Sequence, residues 1–190
     1  MKVLIACERS GIIRDQFIRR GHQAISCDLH PSRRPGPHWQ GDVREILGES
    51  WDLLIAHPVC RYMANSGVRW LHERPERWAL MLDGCEFFKL FDRAKHIRYR
   101  CVENPIIHKY ALSLIGRRAD QFVHPHFFGD PFSKATGLWL TGLPPLKRTH
   151  WIERADIRQA CWLEPPGPER EERRSETYPA IANAMAEQWG

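Results

Sequence analysis

A chain of 190 residues with 43% hydrophobic content is long enough for one domain with a substantial core and short for two. Its 28 Lys and Arg against 23 Asp and Glu give a formal charge of +5 and a pI of about 9.0, a balance that favours polyanionic partners. The six cysteines form no C-x-x-C pair, no signal-peptide pattern opens the chain and the first apolar run is too short to span a bilayer. A cytoplasmic protein with reduced thiols and no membrane partner is therefore expected.

The first sixty residues alternate apolar runs (Val3 to Cys7, Ala24 to Cys27, Leu53 to Ala56) with helix-compatible ones, the pattern of βαβ units in a parallel sheet. Ile12, Ile13, Phe17 and Ile18 recur at helical spacing with Arg14, Asp15, Arg19 and Arg20 between them, and Gly21-His22 supplies the stop. Pro31 to Pro37 is too proline-rich for regular structure and reads as an exposed basic loop, either a solvated connector or a phosphate contact. Glu76 to Ala94 predicts a long helix whose aromatics serve the core, and Tyr99 to Glu103 a further strand. Phe122 to Phe128 and Thr136 to Thr141 predict a closing hairpin around the turn residues Gly129-Asp130-Pro131. Pro165 to Arg174 is expected to be mobile, and Tyr178 to Trp189 to form a short terminal helix.

Four segments fall where a doubly wound sheet gathers its ligands. In the turn Cys7-Glu8-Arg9-Ser10-Gly11 the small residues permit close backbone approach, and the helix that follows offers its amino-terminal amides to a polar ligand. Asp28, at the end of the second strand, stands where an acid can accept hydrogen bonds from a ribose diol, or is an ordinary surface aspartate. In Gly41-Asp42-Val43 the aspartate is either an acceptor for an adenine amino group or a helix N-cap.

The fourth is a pair. Cys60, in His57-Pro58-Val59-Cys60, and Glu103, in Glu103-Asn104-Pro105, close neighbouring strands, and a thiolate with a carboxyl can act on two sides of a polarised heterocycle. Arg61, Arg69 and His57 are sources of positive potential for that thiol. The remaining thiols Cys7, Cys27, Cys85 and Cys101 lie in apolar runs and are expected in the core. His124 and His126 lack acids beside them, so no metal site is expected. Phe132 to Thr136 is a candidate substrate-facing loop without an assigned role.

In order, these segments resemble those of the cytosine-C5 DNA methyltransferases. That family carries a small-residue turn after the first strand, an acid closing the second, a Gly-Asp pair, a Pro-Pro-Cys-Gln nucleophile motif and a Glu-Asn-Val. Gly67 and Arg69 follow Cys60 at the family's spacing, and Thr177 to Met185 is similar to its closing segment. Small phage-encoded members look closest in size.

The resemblance implies a Rossmann-like, S-adenosylmethionine-dependent methyltransferase fold over residues 1–190, with the segment 176–190 returning to the cofactor site. It implies Cys60, Glu103, Asn104 and Arg61 as catalytic residues. For S-adenosylmethionine it implies Cys7, Glu8, Ser10, Gly11, Asp28, Leu29, Asp42, Val43, Pro58 and Asn183. The expected reaction is addition of Cys60 to C6 of cytosine in DNA, with Glu103 protonating N3, and methylation at C5. Against the family's pattern, Val59 replaces the second proline and Arg61 the glutamine, and no Gln-x-Arg-x-Arg strand is present; Lys134 and Arg148 are the nearest basic residues. About 70 residues separate Glu103 from the closing segment, too few for a target-recognition domain. A free cytosine nucleotide as substrate, a partner protein for targeting, or a binding relative without catalysis are the alternatives.

Overall fold

A computed structural model describes residues 1–159, 165, 167, 170, 174 and 176–190. Most of the expected mobile stretch Pro165 to Arg174, and Cys161, lie outside the described residues. The elements in chain order are β1 (Lys2–Ala6), α1 (Ile12–Arg19), β2 (Gln23–Asp28), β3 (His38–Gln40), α2 (Arg44–Leu47), β4 (Leu53–Ala56), α3 (Trp70–Glu73), α4 (Arg77–Asp92), β5 (Tyr99–Pro105), α5 (Lys109–Ile115), β6 (Gln121–Val123), β7 (Thr136–Thr141) and α6 (Pro179–Trp189).

The strands pair in the order β3-β2-β1-β4-β5-β7-β6. β1 to β5 run parallel, and β7 enters antiparallel between β5 and β6. This is the doubly wound, mostly parallel α/β sheet read from the sequence. The strand order reverses between β1 and β4, which opens a crevice at their carboxyl ends, where such sheets hold ligands.

β1 and β4 are unbroken apolar runs because both sheet faces are covered. Leu4, Ala6, Leu54, Ala56 and Val102 face Phe88 and Phe91 of α4 and Ala111 of α5. Val3, Ile5, Leu53, Ile55 and Cys101 face Ile13 and Phe17 of α1 and Ile181 and Met185 of α6. Each large side chain so buried contributes roughly 1.5–3 kcal/mol. The expected hairpin is realised as the β6–β7 pair, but Pro125 ends the first strand and starts a 3-10 turn.

Arg14 departs from its expected place on the polar side of α1, for it is fully buried. Its guanidinium donates to the Asp15 carboxylate at 2.7 Å and 2.9 Å, to the hydroxyls of Ser26 and Ser32 at 3.2 Å, and to the carbonyls of Pro35 at 3.0 Å and of Arg34 and Pro37 at 3.4 Å. The Pro31 to Pro37 loop is exposed, as expected, but is pinned to α1 from below. Its prolines have no N–H to offer, and its carbonyls converge on one arginine. A Cβ at Gly11 or Gly36 would lie 2.6 Å or 2.8 Å from that guanidinium, and both residues have positive φ, so the clamp needs glycine on each side.

Candidate active site

The register pairs Ala56 of β4 with Val102 of β5, so His57 and Pro58, which follow β4, lie beside Glu103 and Asn104 of β5. Asn104 is 1% exposed and its Nδ2 donates to the Pro58 carbonyl at 3.1 Å and to the Glu103 carbonyl at 2.8 Å. One amide therefore ties the turn before Cys60 to the end of β5. Its Oδ1 is buried and has no partner among the described residues.

Beyond Val59, the Cys60 carbonyl accepts the amides of Met63 at 2.9 Å and Ala64 at 2.8 Å, closing a turn that leaves the Cys60 side chain half-buried. The chain after it is stitched to the segment following β5. Asn65 N donates to the Ile106 carbonyl at 2.8 Å, and His108 N to the Met63 carbonyl at 3.0 Å. Gly67 passes close beneath Arg61, where a Cβ would come within 3.3 Å of the Arg61 carbonyl. The Arg61 side chain is exposed, its guanidinium 5.9 Å over the Tyr62 ring, so it stands at the surface rather than beside Glu103.

The Glu103 carboxylate meets His57, Nδ1 to Oε2 at 2.9 Å, with side-chain exposures of 11% for the imidazole and 14% for the carboxylate. Burial alone would raise the Glu103 pKa. The His57 hydrogen bond, the His57 charge and the charge of Lys134 together outweigh it and hold the carboxyl below its ordinary value. The other imidazole nitrogen, Nε2, is buried without a partner among the described residues. His57 was expected to polarise the Cys60 thiol; it is instead committed to Glu103. Lys134 and Tyr178, to which no role was assigned, border the same carboxylate with Thr136, Thr177 and Ile181. The Lys134 ammonium is fixed by the Glu176 carbonyl at 3.1 Å and lies 5.8 Å over the Tyr178 ring.

At the β1–α1 turn the expectation of free helix amides is corrected. Glu8 is 4% exposed and folds back over α1, accepting Ile13 N at 2.7 Å, Ser10 Oγ at 3.1 Å and Arg14 N at 3.4 Å, while Ser10 Oγ accepts Ile12 N at 3.3 Å. The first amides of the helix are satisfied by the chain itself. Burial raises the Glu8 pKa against the lowering pull of those bonds and of the His57 charge.

Around the crevice, Cys7 has a positive φ of 59° at the mouth of the turn. Asp28 and Asp42 close β2 and follow β3, near enough to help burial push the Cys27 thiol up to about 12 and Cys7 higher still. Asp28 also accepts both the backbone N–H and the imidazole of His30, at 2.9 Å and 3.1 Å. Leu29 stands 70% exposed beside it. Asp42 accepts the Arg44 amide at 2.9 Å and the Arg44 guanidinium at 2.8 Å just ahead of α2.

Two expected cofactor residues lie elsewhere. Val43 is 4% exposed and packs in the core because α2 turns it inward. Asn183 accepts the Arg20 guanidinium at 2.9 Å, its amide used to fasten α6 to the end of α1. The segment from Thr177 borders Glu103 and Lys134, and Glu176 just before it pairs with Arg33 in the loop after β2. His124 and His126 pack against each other with ring centroids 5.0 Å apart.

No family model and no curated protein matches the chain. Among solved structures it is similar to a protein described as a DNA modification methyltransferase encoded within an E. coli prophage, at 14% identity and a TM-score of 0.45, over 73% of this chain and 45% of that one. A methyltransferase of Entamoeba histolytica, EhMeth, is similar at 14% identity and a TM-score of 0.45, over 80% of this chain and 56% of that one. The chain thus spans about half the length of the solved structures it matches.

Proposed function

We propose that this chain methylates cytosine at C5 in DNA with S-adenosylmethionine as donor and Cys60 as nucleophile. The observation that carries the reading is the Asn104 bridge, which sets the Cys60 turn and the Glu103 carboxylate on adjacent strand ends.

The crevice suits a nucleoside cofactor without phosphate. With the α1 amides closed by Glu8, a pyrophosphate finds no donors there and meets a buried acid instead. Asp28 and Asp42 supply acceptors for hydroxyl and amino groups, Leu29 an apolar surface for a ring, and the acidic rim favours a cationic sulfonium. S-adenosylmethionine, when bound, supplies an electrophilic methyl group.

The Cys60 sulfur adds to C6 of the base, and the C5=C6 electron pair is released to C5. Glu103, ionised at rest and held in place by His57 Nδ1, takes up a proton from solvent as the base enters and delivers it to N3. With the donor held against Asp28, Asp42 and Leu29, its methyl group would be the electrophile that the C5 electron pair attacks. Loss of the C5 proton to water, with the N3 proton returned through Glu103, restores the double bond and expels Cys60 as thiolate. Lys134, near Glu103, steadies the negative charge left after that proton moves.

The test is transfer of labelled methyl to duplex DNA and to dCMP by the wild-type chain, Cys60→Ser and Glu103→Gln. Label in DNA, abolished in Cys60→Ser and lowered on the order of 10²–10⁴-fold in Glu103→Gln, is expected. Label in dCMP alone moves the substrate to the free nucleotide, and transfer by Cys60→Ser refutes the nucleophile.

A further inference from the structure

Between Cys60 and Trp78 the chain carries Arg61, Arg69, Arg74 and Arg77 against Glu73 and Glu76, and the arginines are not splayed at random. Arg69 and Arg74 both lie over the Trp70 ring, 4.4 Å and 4.9 Å from its centroid. Arg77 and Arg61 both lie over Tyr62, at 4.7 Å and 5.9 Å. The two rings are half-buried, which fixes them, while Arg61, Arg69 and Arg74 remain exposed at the surface.

This pattern has three physical consequences. A guanidinium stacked on a ring keeps its planar fork of N–H donors and loses less freedom when those donors find an acceptor. Rings already covered by guanidinium groups are poor platforms for bases, so the face is made for charge rather than for stacking. Arg77 also donates to the Arg61 carbonyl at 3.4 Å, one residue beyond the nucleophile, and its Nε is buried without a partner among the described residues. The cationic face and the Cys60 turn are therefore one connected unit.

We infer that this face binds the phosphodiester backbone of the substrate strand beside the target base. The inference rests on the reading of DNA as substrate. Backbone contacts carry no base information, so the chain engages DNA with little sequence preference. Planar, bidentate recognition of phosphate is what stacked arginines provide. The four arginines outnumber the two glutamates of the segment, and Cys60 lies at one end of it.

The experiment measures binding of the full chain, without cofactor, to labelled duplex and single-stranded oligonucleotides across a salt series. Variants are Arg69→Ala/Arg74→Ala, Arg69→Lys/Arg74→Lys, and Lys95→Ala, an exposed residue ahead of β5, by the amino-terminal ends of the strands and away from Cys60. Loss of two phosphate contacts flattens the slope of log K against log salt by about 1.8 on a duplex or about 1.4 on a single strand, and the preferred arm identifies the form of DNA held. The double-lysine variant keeps the wild-type slope but binds more weakly, because the charge stays and the planar fork is lost. Lys95→Ala changes neither.

An unchanged slope in the double-alanine variant with its fold intact by circular dichroism overturns the proposal, as does equal flattening in Lys95→Ala or failure of the wild-type chain to bind either oligonucleotide. Methyl transfer is scored separately. DNA held through this face without transfer refutes the activity and leaves the surface standing, while transfer with an unchanged slope does the reverse.

Discussion

Replacing His57 by leucine removes the imidazole that holds Glu103 ionised while leaving the apolar volume of the site nearly constant. The pair is largely buried, and removing one partner from such a pair costs about 3–5 kcal/mol because the other charge is stranded. The residual exposure places this case near the lower end, at roughly 3 kcal/mol. Three charged groups frame the change: Glu103 from β5, Glu8 from the β1–α1 turn, and Lys134 beyond Glu103.

The folded-state pKa of Glu103 is depressed in the wild-type chain, so its ionised form adds stability above its ordinary value of 4.5, and that stability is lost as pH falls through the folded pKa. In His57→Leu burial remains as the largest influence and acts upward on Glu103, and Glu8 loses a group that lowered it. The destabilisation is therefore greatest at pH 8 and shrinks towards pH 5, where protonation relieves the stranded acids. Urea unfolding of both proteins at the two pH values reads the difference directly, and a second leucine at Glu103 should return most of the lost stability. Equal destabilisation at both pH values, or a double variant whose loss is the sum of the two single losses, refutes the ionised pair.

Two further outcomes follow from buried polar groups. Arg14→Met leaves Asp15, two serines and three loop carbonyls without their shared donor, so a loss of about 3–5 kcal/mol and early protease cleavage within Pro31 to Pro37 are expected; wild-type resistance there counts against the clamp. Asn104→Ala cuts the bridge to Pro58 and lets the Cys60 turn drift, which should lower kcat on the order of 10²-fold. Because a buried, unpartnered Oδ1 is removed as well, Tm should fall little, and a large fall in Tm with normal turnover assigns Asn104 to stability instead.

The parts of the fold legible in the sequence were those set by local pattern. The apolar runs of β1 and β4 and the helical spacing of Ile13 and Phe17 need no distant partner to be read. The antiparallel entry of β7 beside β5 was not legible, since alternation marks the strand but not its neighbour. Arg14 was misplaced because its acceptors are carbonyls 20 to 23 residues onward, in a loop whose prolines suggest only irregularity.

In the site, Pro58 and Asn104 were named, but the bond between them comes from register. The same register was the available signal for His57, which precedes Pro58 by one residue as Glu103 precedes Asn104. Glu8 and Ser10 were read as ligand residues because a polar turn before a helix looks the same whether it binds a ligand or caps itself. Asn183 and Val43 were carried by likeness of wording, which does not say which way a side chain turns.

The carboxylate folded over the start of α1 has a bearing on competition. ATP and the dinucleotides share adenine and ribose with S-adenosylmethionine, so acceptors for a diol and an amino group cannot by themselves tell these molecules apart. Glu8 separates them by refusal: a phosphate brought to that helix must sit against a buried acid or displace it, and its bonds to Ile13 and Arg14 are lost if it moves. Under the proposed function, selectivity against phosphorylated nucleotides is built into the turn before any favourable contact to the donor is made.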